Sequence, residues 1–124
     1  MRIEPSERYY DKPCSYVAVG CAYENIFNKK FEVNLPDGLK DDGYLSLNFM
    51  DKFARENLSI KKKTYFKRNQ RIKLKDFLKN NKKKYCVCVL GHFLYVNNRD
   101  YWSFFENEED YIVCVWEIEE SKSV

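Results

Sequence analysis

The spacing of apolar and polar residues changes character along the chain. Between Cys14 and Ile26, small and β-branched residues recur four apart, Val17 with Cys21 and Ala18 with Ala22, directly after Pro13. Pro suits a helix start because the N–H it lacks would have no partner there. Small residues on such a face suit a helix buried centrally. The pattern predicts a buried helix that opens at Cys14. Residues 1–11 are polar and read as irregular. Asn34–Gly43 holds Pro-Asp-Gly and Asp-Asp-Gly turn signals and reads as a loop. Leu45, Leu47, Phe49, Met50 and Phe53 fall at helical spacing, with Asn57 as C-cap. Lys63–Arg68 reads as a short strand. Leu74, Phe77 and Leu78 mark a short amphipathic helix ended by Asn80-Asn81.

From residue 85 onward the runs become strand-like. Tyr85–Leu90 and Phe93–Val96 are apolar, and Asn97-Asn98-Arg99-Asp100 is a turn from which Tyr101–Phe105 returns as a hairpin. An acidic loop, Glu106–Asp110, leads to a last strand, Tyr111–Ile118. Helices gathered early and strands gathered late predict an α+β fold, with the Cys-bearing N-terminal helix packed on a C-terminal antiparallel sheet. At 124 residues the whole chain, 1–124, is expected to form one domain.

Composition narrows the function classes. Apolar residues make up 44% of the chain and Gly plus Pro number only 4 and 3, which suits a packed core and not a linker. No run approaches the roughly 18–20 apolar residues of a membrane span. The first eight residues lack an apolar signal region, so the expected location is the cytosol. Five cysteines, an odd number, argue against a disulfide framework in that setting. Cys86 and Cys88 alternate with Val87 and Val89 as strand residues do, and the chain has one His, so neither a metal site nor a cofactor is expected. Four of the thiols read as small buried hydrophobes.

The fifth, Cys14, stands at the first turn of a helix, where unpaired N–H groups and the positive end of the macrodipole favour thiolate. Its pKa is expected below the free value of about 8.5. The backbone N–H groups of Cys14 and Ser15 are placed to hold an oxyanion. The sole His, His92, follows Gly91 between two apolar runs. A base for a thiol is expected from a remote part of the chain, because the two meet in space. A hairpin centred between Asn97 and Arg99 sets His92 opposite Ser103 and Phe104, so Ser103 is the candidate to orient the imidazole.

These residues carry a resemblance. Pro13-Cys14-Ser15-Tyr16-Val17-Ala18-Val19-Gly20-Cys21-Ala22, then Ile72-Lys73-Leu74-Lys75-Asp76-Phe77-Leu78, Tyr85–Val89, Gly91-His92 and Asp100-Tyr101-Trp102-Ser103-Phe104-Phe105 follow one another in order. Together they resemble small phage-type papain-like cysteine peptidases related to the bacteriocin-leader-processing branch. The resemblance implies a papain-like fold, a Cys14–His92 pair acting on a peptide or amide bond, and the cytosol of a host cell as location. It also implies a triad carboxylate at position 103, where this chain has Ser, and an oxyanion Gln upstream of Cys14, where residues 6–11 contain none.

A second class of function rests on charge. Between Ile60 and Lys84 there are 12 Lys or Arg against Asp76 alone, whereas the whole chain carries only +3. Such asymmetry suggests a basic surface for an acidic partner, nucleic acid or a host protein, formed by Lys61, Lys62, Lys63, Lys67, Arg68, Arg71 and Lys73, with Tyr65 and Phe66 available for stacking. The acidic counterweight is Glu106–Asp110 with Glu117, Glu119 and Glu120. The alternative to an enzyme is thus a papain-like fold with a silent site that binds or inhibits a partner.

Overall fold

A computed structural model describes residues 1–119; Glu120 lies outside them. Its regular elements are β1 (Arg2–Ile3), α1 (Cys14–Phe27), α2 (Leu47–Asn57), β2 (Ile60–Tyr65), α3 (Leu74–Asn80), β3 (Lys84–Val89), β4 (His92–Asn97), β5 (Asp100–Trp102) and β6 (Ile112–Ile118). Three 3-10 turns, Glu7–Tyr9, Asp41–Leu45 and Arg68–Gln70, connect them. The six strands form one sheet in the order β1-β5-β4-β3-β6-β2. The fold is α+β, with the helix that bears Cys14 and Cys21 packed on this sheet.

Alternation along the strands builds a core on each face of the sheet. Cys86, Cys88, Phe93, Tyr95, Cys114 and Trp116 pack with α1 and α2 on one face. Val87, Val89, Leu94, Val96, Ile112 and Val115 pack with Leu74, Phe77 and Leu78 of α3 on the other. Strand-face alternation thus accounts for Cys86, Cys88 and Cys114, which turn toward α1.

Helix α1 is buried from Ser15 through Ala22 without a break, so it is enclosed on all sides. Small residues permit this. A Cβ built on Gly20 would stand 2.5 Å from the Tyr9 hydroxyl oxygen and 2.8 Å from its ring. Tyr9 is itself buried and receives a hydrogen bond from Arg8, whose guanidinium also holds Glu24 of α1 at 2.8 Å and the Phe31 carbonyl at 2.6 Å. At its far end α1 stops at Asn28, in left-handed conformation with φ 54°, a role Asn fills as a C-cap. Asp51 of α2 ties that helix to the sheet by accepting from the Trp116 indole at 2.9 Å.

Several expectations are corrected. The sheet is mixed, because β1 pairs parallel to β5. The polar start of the chain therefore contributes a strand, too short to leave a periodic signal. The strand expected at Lys63–Arg68 lies earlier, at Ile60–Tyr65, where it pairs with β6 as an edge strand across a bulge; Arg68 belongs to a 3-10 turn. Leu45 ends a 3-10 turn, and α2 begins only after Ser46, whose side chain caps the Phe49 N–H at 2.9 Å. The hairpin return is shorter than expected: β5 ends at Trp102, and the register pairs Tyr95 with Trp102. Ser103 and Phe104 are therefore not strand partners of His92.

Replacing Gly20 by Ala is expected to lower stability by about 1–3 kcal/mol, the usual cost of overpacking a closed core. Chemical denaturation measures it, and an unchanged midpoint would contradict the close approach of Tyr9 to α1.

Candidate active site

Two chain reversals bring the candidate residues together. Pro13, extended at ψ 150°, delivers the chain to the start of α1, and the first intrahelical bond runs from the Val17 N–H to the Pro13 carbonyl at 3.0 Å. The N–H groups of Cys14, Ser15 and Tyr16 precede that bond and have no acceptor within the helix. On the sheet, β3 and β4 are joined through Leu90-Gly91. Gly91 has φ 80°, which favours glycine, and His92 follows as the first residue of β4, paired with Val89.

Cys14 and His92 both line a cavity of about 540 Å³. Its walls include Val17, Leu45 and the aromatic rings of Tyr10, Phe93, Trp102, Phe104 and Phe105. A second cavity of about 390 Å³ shares Tyr10, Lys12, Cys14 and Leu45 and opens toward Tyr44. Cys14 thus sits between two hollows. It is also the one thiol of the five that is not buried. The Tyr10 and Phe104 rings lie 5.1 Å apart, and the His92 ring meets the edge of Phe105 at 5.5 Å.

Ser103 reaches His92 although the strand does not. The chain bends after Trp102, and the Ser103 hydroxyl lies 3.1 Å from His92 Nε2. Ser103 is 1% exposed and fully engaged. Its oxygen also receives the Phe105 N–H at 3.1 Å, and its hydroxyl donates to Asn107 Oδ1 at 2.6 Å. Asn107, buried as well, donates from Nδ2 to Asp110 Oδ2 at 2.7 Å.

Electrostatics correct one expectation. The N–H groups of Phe93, Ser15 and Cys14 all act to lower the thiol pKa, but burial outweighs them and the Cys14 thiol stands above its ordinary value of 9.0. The N-terminal position on α1 is present as expected; the thiol is protonated at neutral pH because the same packing that places it also removes water. The other thiols are pushed up by burial too, Cys21 and Cys88 to about 12. Burial lowers His92 below 6.5, with the Asp110 charge opposing, so the imidazole is neutral at pH 7. On this cavity the resting groups are a neutral thiol and a neutral imidazole.

Sequence reasoning missed the Phe93 N–H, Asn107 and Asp110. Phe93 read as an ordinary apolar strand residue. Asn107 and Asp110 lie in a loop whose visible feature was its acidity. Ser15 contributes its backbone to the site; its hydroxyl is buried with no hydrogen-bond partner among the described residues and does not line the cavity.

Several residues of the basic stretch have partners within the fold. Lys61 and Lys83 both approach Glu117, at 3.7 and 3.6 Å, and Lys63 lies 3.9 Å from Asp51 and over the Trp116 ring. Lys73 and Lys75 clasp Glu109 at 2.9 and 2.7 Å. Arg71 turns inward to the Phe66 carbonyl and the Tyr65 hydroxyl. Of the seven candidates, Lys62, Lys67, Arg68 and Arg71 have no acidic partner among the described residues, and Arg71 is held by Phe66 and Tyr65. Lysines along β2 also keep an edge strand from pairing with another sheet.

Comparison with protein-family models, with curated proteins and with solved structures finds no match. Among the described residues, no helix is long and apolar enough to cross a membrane.

Alkylation of Cys14 by iodoacetamide is expected to accelerate with pH through 9 and beyond, following a thiol raised above 9.0. A plateau reached below about pH 8 would show a preformed thiolate and contradict the dominance of burial.

Proposed function

We propose that this chain is a papain-like thiol hydrolase that acts on a peptide or amide bond through Cys14 and His92. What carries the reading is one observation: the single accessible thiol and the single imidazole line the same cavity, with the imidazole held at Nε2 by a buried hydroxyl. The starting pair is neutral, so His92 acts as a general base and takes the thiol proton as sulfur attacks the carbonyl carbon. The carbonyl oxygen gains negative charge, for which the N–H groups of Cys14 and Ser15 are the available donors. Collapse of the intermediate breaks the C–N bond, and the imidazolium returns its proton to the leaving amine. A thioester then remains on Cys14 until water, activated by His92, releases the acid. Ser103 orients the imidazole in place of a carboxylate. No cofactor or metal enters this scheme. A peptide or protein is the partner, and the host cytosol is the location that accompanies the resemblance.

The test is an activated peptide ester offered to the protein with mass spectrometry of the product. The expected result is one acyl group on Cys14, formed about 10²–10⁴-fold more slowly in His92→Ala. Acylation spread evenly over the cysteines, or untouched by His92→Ala, would sink the reading.

A second reading keeps the fold with a silent site, as a phage-type binding or inhibitory protein for a host protein or nucleic acid. Its support is that Lys67 and Arg68 follow two and three residues after Tyr65, which is 54% exposed, and that Lys62 on the other face of β2 has no acidic partner among the described residues. Polyanion binding that weakens with salt, and loses about one unit of salt slope for each of these residues changed to Ala, is its expected signature. Elution at low salt, as a net charge of +3 alone would give, counts against it.

A further inference from the structure

The bonds around Ser103 have a direction, and that direction starts at Asp110. An ionised carboxylate only accepts, so the Asn107 group 2.7 Å from Asp110 must be the donating amide nitrogen. That turns Asn107 Oδ1 toward Ser103, 2.6 Å away, so the Ser103 hydroxyl must donate its one proton there. Ser103 then has only lone pairs left. One receives the Phe105 N–H, and the other faces His92 Nε2 at 3.1 Å. A lone pair in that position requires Nε2 to carry the ring proton.

We propose that Asp110 and Asn107 are positioning residues for His92: acting through Ser103, they lock the neutral imidazole in its Nε2–H tautomer and leave Nδ1 as the free base. The chain Asp110–Asn107–Ser103–His92 does by relayed hydrogen-bond polarity what a carboxylate at position 103 would do by direct contact. Its middle members are buried, Ser103 to 1% and Asn107 to 5% exposure, so water does not compete for their bonding groups. Its backbone is fixed independently. The Asp110 N–H donates to the Asn107 carbonyl at 3.0 Å, and the Asp110 carbonyl accepts from Leu74 at the start of α3 at 2.9 Å. The loop therefore holds its shape when the Asp110 side chain is changed. The Asp110 charge also reaches the ring, where it favours protonation against the larger opposing effect of burial.

The inference deepens the reading of Cys14 and His92 as a reacting pair, since a tautomer matters most to a base. Its physical content stands apart from catalysis, and so does its test. The chain has one His, so a nitrogen-15 imidazole spectrum reports His92 alone. Near about pH 8, where the ring is neutral, the Nε2–H form should exceed the Nδ1–H form by at least about tenfold. Asp110→Ala frees the Asn107 amide to turn over and should move that ratio toward equality by roughly fivefold or more. Ser103→Ala, which removes the acceptor, should do the same. A wild-type ring that is mainly Nδ1–H or evenly mixed overturns the inference, as does a ratio that Asp110→Ala leaves unchanged. If Asp110→Ala does not fold, Asn107→Ala, which takes away the acceptor of the Ser103 proton, decides. A locked tautomer in a protein that never acylates would sink the hydrolase and leave the lock standing.

Discussion

The rest of the structure depends on the enclosure of α1. A helix can be buried on every side only if something on its surface is small enough to let neighbours approach, and Ala18, Gly20, Cys21 and Ala22 supply that. Tyr9 closes over Gly20, Phe31 and Phe53 fill the space around Tyr16, and the cysteine-bearing face of β3, β4 and β6 forms the floor. With the helix axis fixed, its first turn can lie in only one place, against the start of β4. Cys14 and His92 are therefore brought to one cavity by core packing. They need no direct bond to each other to be held there.

The same enclosure sets the electrostatics. Removing water from the first turn of α1 raises the thiol and lowers the imidazole, and both shifts stabilise the uncharged forms. Three backbone N–H groups around the sulfur work in the other direction without prevailing. A site of this kind has its dipoles arranged before charge develops, and they gain most when a negative charge appears beside them. The polar chain behind His92 fits that arrangement, because it adds direction to the ring without adding a charge in contact with it.

Much of this was legible in the sequence, for reasons that can be named. Pro13 and the four-residue spacing of small side chains locate α1 to the residue at its start, because a proline at a helix entrance and a stripe of small residues are local signals. Gly91 marks the reversal before His92 for the same local reason, a φ that glycine favours. What failed was what depends on partners far away. β1 is two residues long and exists because β5 offers it an edge. Ser103 was placed beside His92 by a hairpin register that the structure does not have; it arrives there through a bend after Trp102. The lowered thiol pKa followed correctly from the helix terminus and incorrectly from its surroundings, since burial is a property of the packed molecule. Asn107 and Asp110 lay unseen in an acidic loop because hydrogen-bond polarity has no period. The ion pairs of the basic stretch were equally unseen: Glu109, Glu117 and Asp51 meet five of its lysines from elsewhere in the chain.

The central claim is that core packing brings Cys14 and His92 onto one cavity. The NMR spectrum of the single imidazole, before and after Cys14 is capped with a small neutral alkyl group, tests this most directly. The account predicts that capping moves the His92 ring chemical shifts, because both groups line one cavity, while the dispersed amide spectrum shows the fold intact. Ring shifts that are the same with Cys14 free and capped would contradict it.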